Sequence, residues 1–249
     1  MLSLKHIFKT FNSGQASEIA ALRDVSLEIE HGEFLVIVGV NGSGKTTLLN
    51  MIGGAERPSS GSVEINGSDV TDLAEHQRSK WIARVFQNPT NGSAPDLTIL
   101  DNFRLAALRS QSKNLRIGVN ASFKKKVRDN IANLGMGLEN KINQPMGSLS
   151  GGQRQALTLL MSVMDKSEVL LLDEPTAALD PKSSQVVLQL ADKLNKERGI
   201  TTVLITHNLK DAHQYGSRLL LMQEGRIFRD FDPREKAALS LNNIYELFG

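Results

Sequence analysis

The stretch Phe34-Leu-Val-Ile-Val-Gly-Val-Asn-Gly-Ser-Gly-Lys-Thr-Thr-Leu-Leu-Asn-Met-Ile52 decides how the rest of this 249-residue chain is read. It opens with an apolar, largely β-branched run, the pattern of a strand covered on both faces. From Lys45 onward it has helix formers, with apolar positions at Leu48, Leu49 and Ile52. Between strand and helix, Gly39-Val-Asn-Gly-Ser-Gly-Lys-Thr46 fits the phosphate-loop pattern G-x-x-x-x-G-K-S/T. Glycines there let successive backbone N–H groups turn toward one centre, an anion nest at a helix N-terminus. In such a loop Lys45 reaches the β- and γ-phosphates of a nucleotide and the Thr46 hydroxyl ligates Mg²⁺. A chance match at average composition is about a 1-in-100 event for this length. The flanking strand and helix make a plain glycine turn the weaker reading.

Outward from this βα unit the same logic repeats. Val25-Ser-Leu-Glu-Ile-Glu30 alternates with period 2, as a half-buried strand does. Val169–Leu172 and Thr202–Ile205 read as buried strands. Between them a helix opens at Pro181, carries Val186, Val187, Leu190, Ala191 and Leu194 on one face, and stops at Gly199. Leu219–Met222, the Glu224-Gly225 turn and Ile227–Phe231 predict a closing hairpin. From about Asn88 to Leu149 no buried strand is legible; helical patterns near Thr98–Ser110 and Ser122–Leu134 lie between polar segments bearing Gly, Ser or Pro. The chain therefore predicts an α/β core interrupted by a mostly helical insertion.

Composition narrows the class further. Twenty-nine Lys and Arg against 27 Asp and Glu leave a formal charge of +2, which argues against a protein that wraps nucleic acid. There is no cysteine, so disulfides, thiol nucleophiles and thiolate metal sites are excluded. No apolar run approaches the roughly 20 residues of a membrane span. Met1-Leu-Ser-Leu-Lys-His-Ile7 alternates like a strand and lacks the form of a signal peptide. The expectation is a soluble, cytoplasmic chain that meets membranes only through a partner.

Leu170-Leu-Leu-Asp173-Glu174 is an apolar strand ending in two carboxylates. Beside a phosphate loop, one such group can hold Mg²⁺ and the other can orient or deprotonate the attacking water. Neighbours on an extended strand point to opposite faces, which assigns Asp173 to the metal and Glu174 to the base. Taken alone, an apolar run ending in acids is as often a helix cap. Leu149-Ser150-Gly151-Gly152-Gln153 supplies the third element: Ser150 reads as an N-cap and the glycines allow close backbone approach, in a helix running to about Met164. This motif, in this order with the other two, is similar to the signature of ABC-type ATPases, and the resemblance covers about Leu2 to Asp230.

The resemblance implies a P-loop NTPase core, a RecA-like, mainly parallel sheet with an antiparallel β portion, and a helical subdomain. Its segments would be 1–87 and 159–249 for the core and 88–158 for the subdomain with the signature. It implies an ATPase with ATP and Mg²⁺ as cofactors. Gly39, Asn41, Gly42, Ser43, Gly44, Lys45, Thr46 and Thr47 would hold the phosphates. Thr46, Asp173 and Gln87 would serve the metal. Gln87, after Val85-Phe86, resembles the Q-loop residue; Asp180 in Ala178-Leu-Asp180 resembles the D-loop; His207 resembles the switch histidine. Phe11 would stack on adenine, although Phe8 is an equally good packing residue. Ser150, Gly151, Gly152 and Gln153 would close over the phosphate loop of a second subunit.

Two substitutions relative to many members, Val40 and Ala156, touch no phosphate role. Trp81 reads as packing, the other histidines as surface or packing residues, and Lys124-Lys-Lys126 as a solvated helix face. The implied partners are a second copy of the chain, a transmembrane permease received near Asn88–Asn102, and an extracytoplasmic substrate-binding protein. Nucleic acid is not among them. The expected location is the cytoplasmic face of the membrane. Asn91-Gly-Ser-Ala-Pro-Asp-Leu-Thr98 and the ending Ile244-Tyr-Glu-Leu-Phe248 resemble ATPases paired with branched-chain-amino-acid-type permeases, some of them linked to aromatic amino acid uptake. The alternatives are an exporter or lipoprotein-release ATPase and a soluble ATPase of iron–sulfur cluster assembly; the intact Leu149–Gln153 motif counts against the latter.

Overall fold

Strand-rich segments dominate the first 85 residues, and helices the middle. The computed structural model describes residues 1–108 and 119–247. In chain order the elements are β1 (Leu2–Phe11), β2 (Ile19–Ile29), β3 (Phe34–Val38), α1 (Lys45–Gly53), β4 (Ser60–Ile65), β5 (Ser68–Asp69), α2 (Glu75–Arg78) and β6 (Ile82–Val85). Then come α3 (Ile99–Ala107), α4 (Ala121–Ala132), α5 (Gly151–Ser162), β7 (Val169–Asp173), α6 (Pro181–Arg198), β8 (Thr201–Ile205) and α7 (Leu209–Gln214). The hairpin β9 (Arg218–Gln223) and β10 (Arg226–Phe231) follows, and α8 (Pro233–Ala238) and α9 (Leu241–Glu246) end the fold.

The central sheet has the order β10-β9-β3-β8-β7-β6. All its neighbours are parallel except the β9–β10 hairpin. A second, antiparallel sheet, β2-β1-β4-β5, lies against one face. The continuous apolar runs now have their reason. Along β3, Phe34, Val36 and Val38 enter one hydrophobic cluster while Leu35 and Ile37 enter another. β7 divides in the same way: Leu170 and Leu172 face the first cluster, Val169 and Leu171 the second. A strand whose two faces are both dry must be apolar at every position. The second cluster joins the sheet to α1 and the antiparallel sheet; the first joins it to helices α3 to α7.

Among the described residues, 88–149 contain no strand beyond an isolated bridge between Thr98 and Pro145. The two expected helices are α3 and α4; the stretch of the first that reaches Ser110 lies outside the described residues, as does Phe248. Phe103, Val127, Ile131 and Met146 from this region share one cluster with Val36 and Leu172 of the sheet. The 158/159 border falls inside α5, whose Leu157, Leu159 and Leu160 are all buried. Local chemistry sets the helix ends. Ser150 caps α5 by accepting from the Gln153 N–H, and the Gln153 side chain accepts from the Ser150 N–H in return. Asp180 caps α6 before Pro181, and Gly199 ends it at φ 64°.

Candidate functional site

In parallel sheets, sites form outside the carboxyl ends of the strands. Here β3, β8, β7 and β6 are consecutive neighbours, so the residues that follow them meet along one edge. The registers Ile37–Ile205, Asp173–Ile205 and Val85–Leu172 align the four strand ends. The glycine loop, Thr206-His207, Asp173-Glu174 and Phe86-Gln87 are thus brought together from four distant parts of the chain.

The loop after β3 is folded tightly on itself. Lys45 is buried and donates from Nζ to the carbonyls of Gly39 (2.8 Å) and Val40 (3.0 Å). Burial pushes its pKa down, against the opposing pull of Glu174 and Asp173. Gly39 has φ 155°, and a Cβ there would lie 2.3 Å from the Met222 carbonyl oxygen. The turn of the closing hairpin braces the loop from outside, with the Gly225 N–H donating to the Ser43 carbonyl at 3.1 Å. The Ser43 hydroxyl is buried with no hydrogen-bond partner.

Beside the loop, the Thr46 hydroxyl donates to Asp173 Oδ1 at 3.3 Å. Arg84 holds the other oxygen, Oδ2, at 3.2 Å. Burial raises the Asp173 pKa, and the Arg84 charge opposes that shift. Glu174 departs from the extended geometry expected for it. The strand ends at Asp173, and Glu174 takes φ 46° while its N–H still donates to the Ile205 carbonyl at 3.0 Å. The two carboxylates part company because of this left-handed turn rather than strand alternation. A non-glycine residue in that region stores strain that surrounding structure must hold. Glu174 Oε2 lies 3.2 Å from His207 Nδ1 and 3.5 Å from Gln87 Nε2. Gln87 is therefore beside Glu174, while Thr46 and Asp173 form the oxygen pair.

A cavity of about 350 Å³ opens over the loop, lined by Phe11, Ile19, Ala20, Ala21, Asn41, Gly42, Gly44, Lys45, Thr46, Thr47 and Glu174. Phe11 is at its rim, with the Lys45 end opposite in chemistry: an apolar wall and a cationic, N–H-rich floor. Phe8, by contrast, does not line it. Ser150, Gly151, Gly152 and Gln153 are elsewhere in the chain's own fold. Gly151 lies against Leu179, and a Cβ on Gly152 would sit 2.2 Å from Ser183, so only glycine fits that contact. Asp180 is spent on the α6 cap, accepting from the Ser183 N–H at 3.0 Å.

The residues suit a nucleotide triphosphate and a hard cation. The glycine cradle tolerates no Cβ at Gly39, the Ser43 hydroxyl lacks a partner, and Thr46 and Asp173 offer oxygen ligands of the kind Mg²⁺ takes. Among the described residues no group of three or more His, Asp or Glu could hold a metal ion. Three further residues escaped the sequence reading: Arg84, its partner Asn50, and Gln155, which is buried and donates to the Phe86 and Pro175 carbonyls. The one signal for Arg84 was a charge inside the otherwise apolar strand Ile82–Val85.

A family model described as ABC transporter matches residues 22–177. The chain belongs to the ABC transporter family. A tyrosine transport ATP-binding protein of Clostridioides difficile is 41% identical over 100% of this chain and 98% of its own. A lipoprotein-releasing system ATP-binding protein of Caulobacter vibrioides is 33% identical over 91% of this chain and 94% of its own. Among solved structures, the ATP-binding cassette MJ0796 of Methanocaldococcus jannaschii, a dimer in a post-hydrolysis state bound to ADP and Pi, superposes with a TM-score of 0.81. That cassette is 32% identical, over 94% of this chain and 99% of its own. The chain is thus an ATP-binding subunit and ATPase of the ABC transporter family, with ATP and Mg²⁺ as its cofactors. No helix among its described residues is long and apolar enough to cross a membrane.

Proposed function

We propose that this ABC ATPase works as a homodimer with two shared sites, driving amino acid uptake through a separate permease at the cytoplasmic face of the membrane. The single observation that carries the shared-site reading is the separation of Ser150–Gln153 from the cavity over Lys45. The capped N-terminus of α5 lies with Leu179 and Ser183 of its own chain, and in this reading a second copy would bring the same surface to the phosphates. Phe11 would face adenine, and Gly39 to Thr47 with Lys45 would hold the phosphates, the Lys45 ammonium turning from the Gly39 and Val40 carbonyls to the γ-phosphate.

Glu174 would orient and deprotonate the attacking water, with His207 and Gln87 both beside its Oε2. Thr46 and Asp173 would hold Mg²⁺, which when bound neutralises charge on the phosphate oxygens. Binding of the γ-phosphate to both copies favours the closed dimer by differential affinity, and hydrolysis removes that preference. The helical segment 88–158, tied to the core of 1–87 and 159–249 through the Gln87 loop, would move with that cycle.

The aromatic amino acid class is favoured by the higher identity to the tyrosine transport protein, nearly end to end. The lipoprotein-releasing relative supports export as the second reading. Both are decided in vesicles reconstituted with a candidate permease and an extracytoplasmic binding protein. Tyrosine-loaded binding protein should raise hydrolysis severalfold, and Glu174→Gln should reduce the rate at least 100-fold with ATP still bound. Stimulation by a lipoprotein instead would favour export, and full activity of Glu174→Gln would refute the catalytic assignment.

A further inference from the structure

Arg84 is a cation within an apolar strand, its side chain only 11% exposed. Its Nη2 donates to two acceptors at once: Asn50 Oδ1 of α1 at 2.7 Å and Asp173 Oδ2 at the end of β7 at 3.2 Å. Its guanidinium also stands 4.8 Å from the centre of the Phe86 ring, one residue before Gln87. One side chain therefore ties the helix that follows the phosphate loop to the carboxylate that faces Thr46.

A carboxylate's terminal torsion is broad and nearly two-fold, so an unsupported Asp173 could turn either oxygen, or neither, toward Thr46. The guanidinium removes that freedom. With Oδ2 taken, Oδ1 is the oxygen left at 3.3 Å from the Thr46 hydroxyl. Asn50 in turn keeps the guanidinium from following Asp173 outward. We propose that Arg84 is a positioning residue for the Mg²⁺ site, holding Asp173 by one oxygen so that the other is presented together with Thr46. This rests on the reading that Thr46 and Asp173 hold the cation. Arg84 itself does not line the cavity over the phosphate loop.

Outer-sphere partners of this kind are worth about 10- to 100-fold in metal affinity. A positive charge so near a cation also repels it, and the proposal holds that orientation outweighs repulsion. Arg84→Met keeps the bulk and loses the hold; Arg84→Lys keeps the charge but, on a shorter and more flexible side chain without the planar guanidinium, holds Asp173 and Asn50 less firmly.

The test measures binding of a fluorescent ATP analogue with EDTA and across a Mg²⁺ titration, beside the Mg²⁺ dependence of hydrolysis and the melting temperature without nucleotide. Arg84→Met should raise half-saturating Mg²⁺ about tenfold while leaving the metal-free affinity within twofold, and Arg84→Lys should fall between it and the parent. An unchanged or lowered Mg²⁺ requirement would overturn the proposal. So would equal losses of affinity with and without Mg²⁺, which mark a structural role alone. If Arg84→Met melts too low to assay, Asn50→Ala decides: it should raise the Mg²⁺ requirement by a smaller factor, and no change refutes the proposal. Asp173→Asn separates the two readings. If it leaves the Mg²⁺ effect on nucleotide affinity intact, the Asp173 assignment fails; if it abolishes that effect where Arg84→Met does not, only the role of Arg84 fails.

Discussion

Gly39 combines a left-handed backbone with a close contact in the phosphate loop. At φ 155°, a β-carbon would lie 2.3 Å from the Met222 carbonyl oxygen and 2.7 Å from the Ser43 hydroxyl. The Met222 carbonyl cannot yield without moving the backbone of β9 or the loop. Gly39→Ala should therefore cost about 1–3 kcal/mol by overpacking, visible in the urea midpoint. Because the displaced backbone is the anion nest, nucleotide affinity should fall more than tenfold as well. An alanine variant that bound ATP like the parent would mean that the loop has slack the contacts deny. Glu174 shows the opposite use of backbone geometry: a residue with a Cβ is held at positive φ, its N–H anchored to β8, and its carboxylate is thereby delivered to His207 and Gln87.

At the scale of elements, α1 is gripped at both ends. Its N-terminus is the phosphate loop, and its C-terminus is closed by a residue far along the chain. Arg78 is fully buried and donates to the carbonyls of Met51 (2.6 Å) and Ile52 (2.9 Å), in the last turn of α1, and to those of Thr71 and Leu73. Burial lowers its pKa to about 10, so it remains a cation at neutral pH. Arg78→Met would strand several buried carbonyls. The expected loss is about 3 kcal/mol in chemical denaturation, with a weaker nucleotide site because α1 carries Lys45 and Thr46. A loss below about 1 kcal/mol would mean that water or a rearranged loop replaces the guanidinium. This contact also marks the limit of what could be read beforehand. The strands β3, β7 and β8, the cap Ser150, the helix start at Pro181 and the stop at Gly199 were legible because each follows from its own neighbours in sequence. The roles of Arg78, Arg84 and Gln155 were not: their partners lie 5 to 89 residues away, and a charge within an apolar strand, as at Arg84, does not say what it meets. The left-handed turn at Glu174 was hidden for the same reason, being imposed by β8 and not by its own residue type.

For the molecule as a whole, the chain's last helices matter because they return to the helix that follows His207. α9 packs on α7, with Ile244 buried, and His213 of α7 lies 3.1 Å from the Leu239 carbonyl. Helices of six residues give no periodic signal, so this strap was not legible in the sequence. Its fastening is Lys236 of α8, a buried ammonium that donates to the carbonyls of Tyr215 and Gly216. Two acceptors need two N–H bonds, which the neutral amine still provides, so the third proton is the one that burial penalises. Desolvation accordingly lowers the Lys236 pKa from 10.5 to about 8. Between these values the unfolded chain keeps a proton that the folded chain has released, so stability rises with pH, by up to about 1.4 kcal/mol per unit. Below pH 8 both states are protonated and the contribution is flat. The measurement is a pair of urea titrations, parent and Lys236→Met, at intervals from pH 7 to 10. Their stability difference should stay constant to about pH 8 and then move in favour of the parent. A difference that stays flat to pH 10 would mean that the folded chain holds its proton as firmly as the unfolded one, and that the ammonium, not the neutral amine, fastens the strap over this range.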